Sequence, residues 1–487
     1  MKHILIIFSI LFLAACSGER PRQSETSADL PPIFPDYAGV TIPSGIAPLN
    51  FNVDGDGKVY VKVVGSKGGE METSGDYADF NEKDWHELTA RNIGGDLTFD
   101  VYSRRKNGSW LRYAPFVIHV SDIPLEDYGV VYRKIAPGYQ TFCKTGIYQR
   151  ELASFKEMPV LEETAVGGQC INCHYSDRGS ADRFSIHVRG KKGGTVLLKD
   201  GTLSYLDTKT PKTGGNATYG YWHPGGRYVA YSINKIVQNF HLDPHNNIEP
   251  WDVFSDLMVF DAETNRVITS PLVETSDYET TPAFSADGKM IYFCRADTTS
   301  MPSGYRDLKY DLCAIAFDAG KGIFGDRVET LLSADSIGMS VSLPRPSYDG
   351  RFLMYNLTDY GTSPIHHEDA DLWIMDLASG ETRKMDEVNS DYSDAYHNWS
   401  GGGNGWFLFN SKRIDGMYGN LYFSLIGKDG KATKPFLLPQ KNPRKYYSEA
   451  LHSFNAPDFI SGKIDLDIDA LRSLSATPVV SNSPRNP

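Results

Sequence analysis

Ser285-Ala-Asp-Gly288 runs into Lys289-Met-Ile-Tyr-Phe-Cys294, and Ser347-Tyr-Asp-Gly350 runs into Arg351-Phe-Leu-Met-Tyr-Asn356. The two stretches are copies of one unit. Asp-Gly supplies the positive φ of a tight hairpin turn, and the six residues after it are apolar enough to form a buried strand. A third copy stands earlier, His223-Pro-Gly-Gly226 before Arg227-Tyr-Val-Ala-Tyr-Ser232, at the same spacing. A fourth is degenerate, with Trp399-Ser-Gly-Gly-Gly-Asn-Gly405 before Trp406-Phe-Leu-Phe-Asn410. Between copies lie Asp256-Leu-Met-Val-Phe-Asp261 and Asp371-Leu-Trp-Ile-Met-Asp376, further strand-like runs.

A lone sheet cannot bury both faces, so repeated sheets must stack, and a ring of four-stranded blades is the closed solution. The pattern resembles the WD40-like repeat of TolB-type β-propellers. From about Arg183 to Gly462, at ~40–50 residues per blade, there is room for six or seven blades; six are expected. The predicted class is all-β, an N-terminal β-sandwich followed by a TolB-like β-propeller.

Outward from the repeat, residues 37–137 alternate in short runs such as Val59-Tyr-Val-Lys-Val-Val64 and Phe116-Val-Ile-His-Val120, divided by turn signals, which predicts the sandwich. Residues 138–189 read as irregular, with one short helix expected over Gly146–Phe155. The propeller is placed at 190–465 and a loose tail at 466–487. Residues 16–36, rich in Pro, Ser and charge, read as a flexible tether.

The first residues carry an address. Lys2 and His3 precede the apolar run Ile4–Leu13, and Leu13-Ala14-Ala15-Cys16 closes it. This order is that of a secretory signal peptide spanning residues 1–15, too short to cross a bilayer of ~30 Å. The small residues before Cys16 resemble the lipobox of exported lipoproteins, which implies cleavage before Cys16, lipidation of its thiol and anchorage to the membrane. An outer-membrane site facing the periplasm is expected, with surface exposure as the alternative. The chain has 61 acidic against 49 basic residues, a formal charge of −12, which argues against nucleic acid as a partner.

One motif carries chemistry. Cys170-Ile-Asn-Cys173-His174 has the spacing of a c-type haem attachment site. Two thiols three residues apart can meet the two vinyl groups on one porphyrin edge, and His174 then stands as proximal iron ligand. Met158 and His187 are the candidate distal ligands, with His223, His241 and His367 behind them. A methionine would raise the reduction potential relative to a second histidine. Three other readings stay open: a thioredoxin-like dithiol, a structural zinc site lacking two ligands, and chance. Of the remaining cysteines, Cys143, Cys294 and Cys313, the last two lie in neighbouring strand-like runs and could pair or stay free.

Together these stretches resemble a family of TolB-like propeller lipoproteins of Bacteroides-type bacteria. The similarity runs from Phe34-Pro-Asp through the Cys170–His174 motif, Tyr221-Trp-His-Pro224 and Ser342-Leu-Pro-Arg345 to Lys434-Pro-Phe-Leu-Leu-Pro-Gln440. It implies a fold more than a function. Two functions are expected: periplasmic electron transfer or ligand sensing with haem c, meeting a redox partner, or a haem-free interaction scaffold meeting an envelope protein. No nucleophile elbow, phosphate loop or zinc-protease motif is present, so no catalytic set is assigned.

Overall fold

The computed structural model describes residues 20–481 except 56, 136–144, 191–192, 211–212, 241 and 243–247. Cys16, the signal segment, Cys143 and His241 therefore lie outside the described residues.

Six four- or five-stranded antiparallel sheets make up most of the described chain. The strand nearest the axis in each is Ser453–Ile460, Ile171–Ser176, Ala217–Trp222, Tyr278–Phe284, Ser340–Pro346 and Asp394–Trp399. Each of these touches the next, and the last touches the first, which closes a ring of six. We number the sheets in that order. The first is composite: Gly129–Ile135, Gly146–Glu151 and Glu157–Glu162 supply three strands, and Ser453–Ile460 from the far end of the chain supplies the inner one. Gly129 pairs with Ile460 and Ile135 with Ser453, so the ring is locked by the two ends of the repeat array.

The propeller thus begins at Gly129, well before residue 190. The segment 138–189, expected to be irregular, forms strands over most of its described length, and the helix expected over Gly146–Phe155 is a strand, Gly146–Glu151. Ile147 packs into the core between the first two sheets with Val131, Phe184 and Ile186, so tertiary burial decides its state over local helical propensity.

The turn after each inner strand shows why the repeat was only partly visible. The backbone N–H groups of His223, Ser285, Ser347 and Ser400 donate across the turn to Tyr228, Met290, Phe352 and Trp406. Asp177 does the same to Arg183, which makes Ser176-Asp-Arg-Gly179 a fifth copy. The cysteine motif is therefore the inner strand of the second sheet.

The N-terminal domain departs from a two-sheet sandwich. Seven of its strands form one sheet, with Val59–Gly65 and Gly95–Arg104 at its centre, and the domain's second sheet is only the pair Ile33–Phe34 and Asn52–Val53. Val59, Val61 and Val63 point inward. The opposing layer includes a helix, Glu82–Arg91, started by Asn81, whose side chain accepts from the Asp84 N–H. Trp85, Leu88 and Thr89 fall on one helical face and are buried. The Trp85 indole stacks on Phe80 and donates to the Ile46 carbonyl at 3.0 Å. This helix supplies the burial that a full second sheet would otherwise provide.

Both expected loose ends are docked where described. Ser24–Thr26 adds to the N-terminal sheet in parallel with Trp110–Arg112. In the tail, the helix Ile468–Ser473 buries Leu471, and Thr477–Pro478 and Val480–Ser481 extend the second and third sheets at their outer edges. The domains share a core, and they are tied by bonds such as Trp406 to the Ile123 carbonyl and Ser400 to Asp127. Among the described residues, no helix is long and apolar enough to cross a membrane.

Candidate functional site

Five of the six inner strands, all but Tyr278–Phe284, line a central cavity of about 340 Å³. All six depart from regular pairing at the same height. The register breaks within residues 171–174, 218–221, 280–283, 342–345 and 395–398, and opposite Val131–Arg133 in the first sheet. A bulge leaves a residue unpaired and re-aims its side chain. Tyr219, Thr281, Leu343, Tyr396 and Ala456 take positive φ at this point, from 41° to 51°. Non-glycine residues hold that conformation at a cost of order 1 kcal/mol or more, and such outliers cluster at sites where chemistry or binding occurs. The turn register places Cys173 and His174 at the matching position of the second sheet.

The three motif residues all border the channel, but the His174 ring is turned away from it toward Phe184. Cys170 is exposed at the end of the channel where the inner strands begin, and Cys173 is half-buried in the channel wall. The Asn172 amide donates to the Cys173 sulfur at 3.2 Å, and both thiols are free. His174 is 2 % exposed, and its ring lies 5.8 Å from Phe184 in the seam between the first and second sheets. The ring lies against the Val131 backbone, and burial, which outweighs that contact, pushes its pKa down to about 3.

The distal candidates are not brought to it. Ile186 and Val188 face the same seam as His174, so His187 between them turns to the opposite face of the second sheet. One iron cannot take both imidazoles in this arrangement. Met158 lies on the outermost strand of the first sheet, with Gly146–Glu151 and Gly129–Ile135 between it and the inner strand. His223 accepts from the Gly225 N–H and packs on Phe284, while His367 sits beside Glu249 and Tyr360. Among the described residues, no group of three or more His, Cys, Asp or Glu side chains is placed to hold a metal ion.

Cys294 and Cys313 do not pair. Cys294 is opposite Leu312 and Phe293 opposite Cys313, so the two sulfurs lie on opposite faces of the fourth sheet. Burial pushes Cys294 up to about 12 and Cys313 up to about 11, as for inert core thiols.

Sequence reading passed over the residues that give the cavity its character. Arg133, Arg189, Arg345 and Lys412 line it, with Asp458 as the carboxylate in its wall. Tyr219 and Tyr396 stand at the bulges. Burial holds the Tyr396 phenol up at about 12, the neighbouring Cys173 charge adds to this, and Arg133, Arg189 and Arg345 oppose it. Asp458 accepts from the Ser176 hydroxyl at 2.5 Å and from the Phe459 N–H, and burial still pushes it up to about 7. The signal available was positional: Leu343-Pro344 and Ala456-Pro457 share one place in the repeat, and Arg345 and Asp458 follow directly.

A hairpin made by Tyr228–Phe240 and Ile248–Asp261 runs far past the start of its inner strand, Ala217. Ile236 and Ile248 line the channel there, while Val237, Phe240 and Leu242 are exposed. Glu249 on this arm accepts from the Tyr360 hydroxyl at 2.9 Å, which pins it to the fifth sheet.

No protein-family model matches the chain, and no curated protein matches it. Among solved structures it is similar to TolB from Acinetobacter baumannii, at 13% identity and a TM-score of 0.43, covering 78% of this chain and 85% of that one. A putative TolB from Agrobacterium tumefaciens gives 12% identity and a TM-score of 0.29 over 68% and 89%. The β-propeller domain of the trilobed protease from Pyrococcus furiosus gives 12% and 0.34 over 70% and 79%. The chain's own strand pairing makes it an all-β propeller. The likenesses extend to the fold alone, and function rests on the residues of the channel.

Proposed function

We propose that the protein is a lipid-anchored propeller of the cell envelope that works by binding an envelope protein at the mouth of its central channel. The observation that carries this reading is the arm at that mouth. It is tied to the fifth sheet by the Tyr360–Glu249 hydrogen bond, it presents Val237, Phe240 and Leu242 to solvent, and exposed Met417 lies at the same end. Clustered exposed apolar side chains on a fixed element are the mark of an interaction surface. The signal-like start and the lipobox-like Cys16 support a position for that surface outside the cytoplasm. Labelled palmitate should enter the wild-type chain and not Cys16→Ala. With a photo-crosslinking amino acid at Met417, living cells should yield a discrete adduct that the same probe at Leu331, on the outer strand of the fourth sheet, does not. Equal adducts at both positions, or none at Met417, would remove the channel mouth as the binding surface.

A second reading has its own support. Cys170 and Cys173 are free and both line the channel, and His174 follows them directly. Haem joined to those thiols would supply one-electron transfer or a site for a small gaseous ligand. For His174 to serve it, the imidazole must leave the seam beside Phe184. Protein made with the cytochrome c maturation machinery should then absorb between 400 and 600 nm and keep its colour on a denaturing gel. A colourless product under those conditions would discard haem.

A further inference from the structure

We infer that the central channel is a binding site for a small ligand bearing carboxylate or phosphate oxyanions, held by Arg133, Arg189 and Arg345. The proposal rests on the channel being a ligand site and is independent of whether haem is carried.

Semi-buried arginines elsewhere in this protein show what is missing here. Arg183, Arg227, Arg295 and Arg413 each face a carboxylate: Asp177, Asp261, Glu279 and Asp394. The channel arginines make no such ion pair among the described residues. Arg133 is 8 % exposed; it donates to the Asn172 amide oxygen, and its Nε has no partner. Arg345 is 7 % exposed, donates to the neighbouring Pro344 carbonyl and lies over the Tyr221 ring. The half-buried Arg189 side chain makes no hydrogen bond among the described residues. Arg150 is also buried without a carboxylate, but it lies outside the channel and donates to the Pro439 and Ser154 carbonyls.

A buried cation without a counter-charge is costly. Here two buried guanidinium groups, Arg133 and Arg345, and the half-buried Arg189 come from the first, fifth and second sheets to one place, in a chain whose net charge is −12. Their convergence has an internal reporter, since the phenol of Tyr396 feels all three guanidinium charges. Asp458 is the one carboxylate in the cavity wall; it feels the Arg345 charge, its oxygens are taken up by Ser176 and the Phe459 backbone, and Arg133 and Arg189 are left without a carboxylate. The missing counter-charge is then the ligand's. Guanidinium groups present paired N–H donors that fit carboxylate and phosphate oxygens in the same way. A cavity of about 340 Å³ suits a small molecule. Tyr219 and Tyr396, set inward by the strained bulges, supply hydroxyls and flat faces beside the charges.

Titration calorimetry on the full-length lipidated protein in detergent, with citrate and with inorganic phosphate as separate probes, tests this. At least one should bind, weakening as salt is added, and the stronger arm distinguishes carboxylate from phosphate. Arg189→Gln and Arg345→Gln should each weaken it at least about tenfold, while exposed Arg472→Gln should not. Arg189→Gln is the safer variant, because its side chain supports no other hydrogen bond among the described residues. The proposal is overturned if neither probe binds at about 10 mM, or if folded Arg189→Gln and Arg345→Gln bind as tightly as the wild type. A loss of the Met417 adduct with anion binding intact would remove the protein partner and leave this site standing.

Discussion

Ending the chain after His452 is expected to leave a protein with no cooperative thermal transition. The cut removes Ser453–Ile460, which pairs with Gly129–Ile135 and touches the inner strands of the second and sixth sheets. It also takes away Phe454, Phe459 and Ile460, all fully buried. Burial of such side chains contributes ~1.5–3 kcal/mol each, and the exposed edge of Gly129–Ile135 loses its ladder as well. The sum approaches the whole stability of a typical domain, ~5–15 kcal/mol. Ending the chain after Leu474 should instead cost only a few degrees, because Leu471 is kept and the loss is limited to two short edge strands and one buried side chain, Val479. Circular dichroism melts of the two truncations provide the measurement. A sharp melt near the wild-type midpoint for the shorter protein would show that five sheets and an open first sheet suffice.

The second large effect is a pair of opposite pH dependences. Burial depresses His397 to about 3 from an ordinary value of 6.5. Its unfolded form therefore binds a proton that the folded form refuses. The stability it allows is fully present above pH 6.5 and is lost as pH falls toward 3, at ~1.4 kcal/mol per unit. Burial raises Asp458 from 3.8 to about 7, so its sign is reversed: the neutral acid suits the fold, and stability is lost as pH rises from 4 to 7. Relative to wild type, His397→Gln should gain ~3 kcal/mol between pH 6.5 and 4, whatever its offset at neutral pH. Asp458→Asn should gain up to ~4 kcal/mol between pH 4 and 7. Urea midpoints at half-unit pH steps would read both slopes. Parallel curves for wild type and either variant would refute the assignment of that residue.

The propeller was legible because its turns are chemically narrow. Asp-Gly and Gly-Gly before a six-residue apolar run leave few alternatives, and three evenly spaced copies exposed the period. The copy at Ser176-Asp-Arg-Gly179 escaped because its turn is longer and because Cys170-x-x-Cys-His drew the eye to a different motif in the same strand. A c-type haem signature and a propeller inner strand overlap there, and spacing alone cannot separate them. The first sheet was hidden for another reason: its inner strand lies more than three hundred residues from its neighbours, and no local pattern reports such pairing. The helix Glu82–Arg91 was readable from Asn81 and the spacing of Trp85, Leu88 and Thr89, but it is short and flanked by strand-like runs. The channel arginines were the least visible, since one follows a proline, one ends a strand and one lies on a second strand; only closure brings them together.

The late arrival of Ser453–Ile460 has a consequence for how the protein reaches its compartment. A chain exported from its N-terminus delivers residues 129–162 first, and these three strands stay without their inner partner until the last tenth of the sequence has crossed. Such a sheet waits with an open, apolar edge of the kind that invites mispairing. Under the proposed export, maturation would be governed by release from the secretion machinery rather than by synthesis, and shielding of that edge during transit would become a requirement written into the topology.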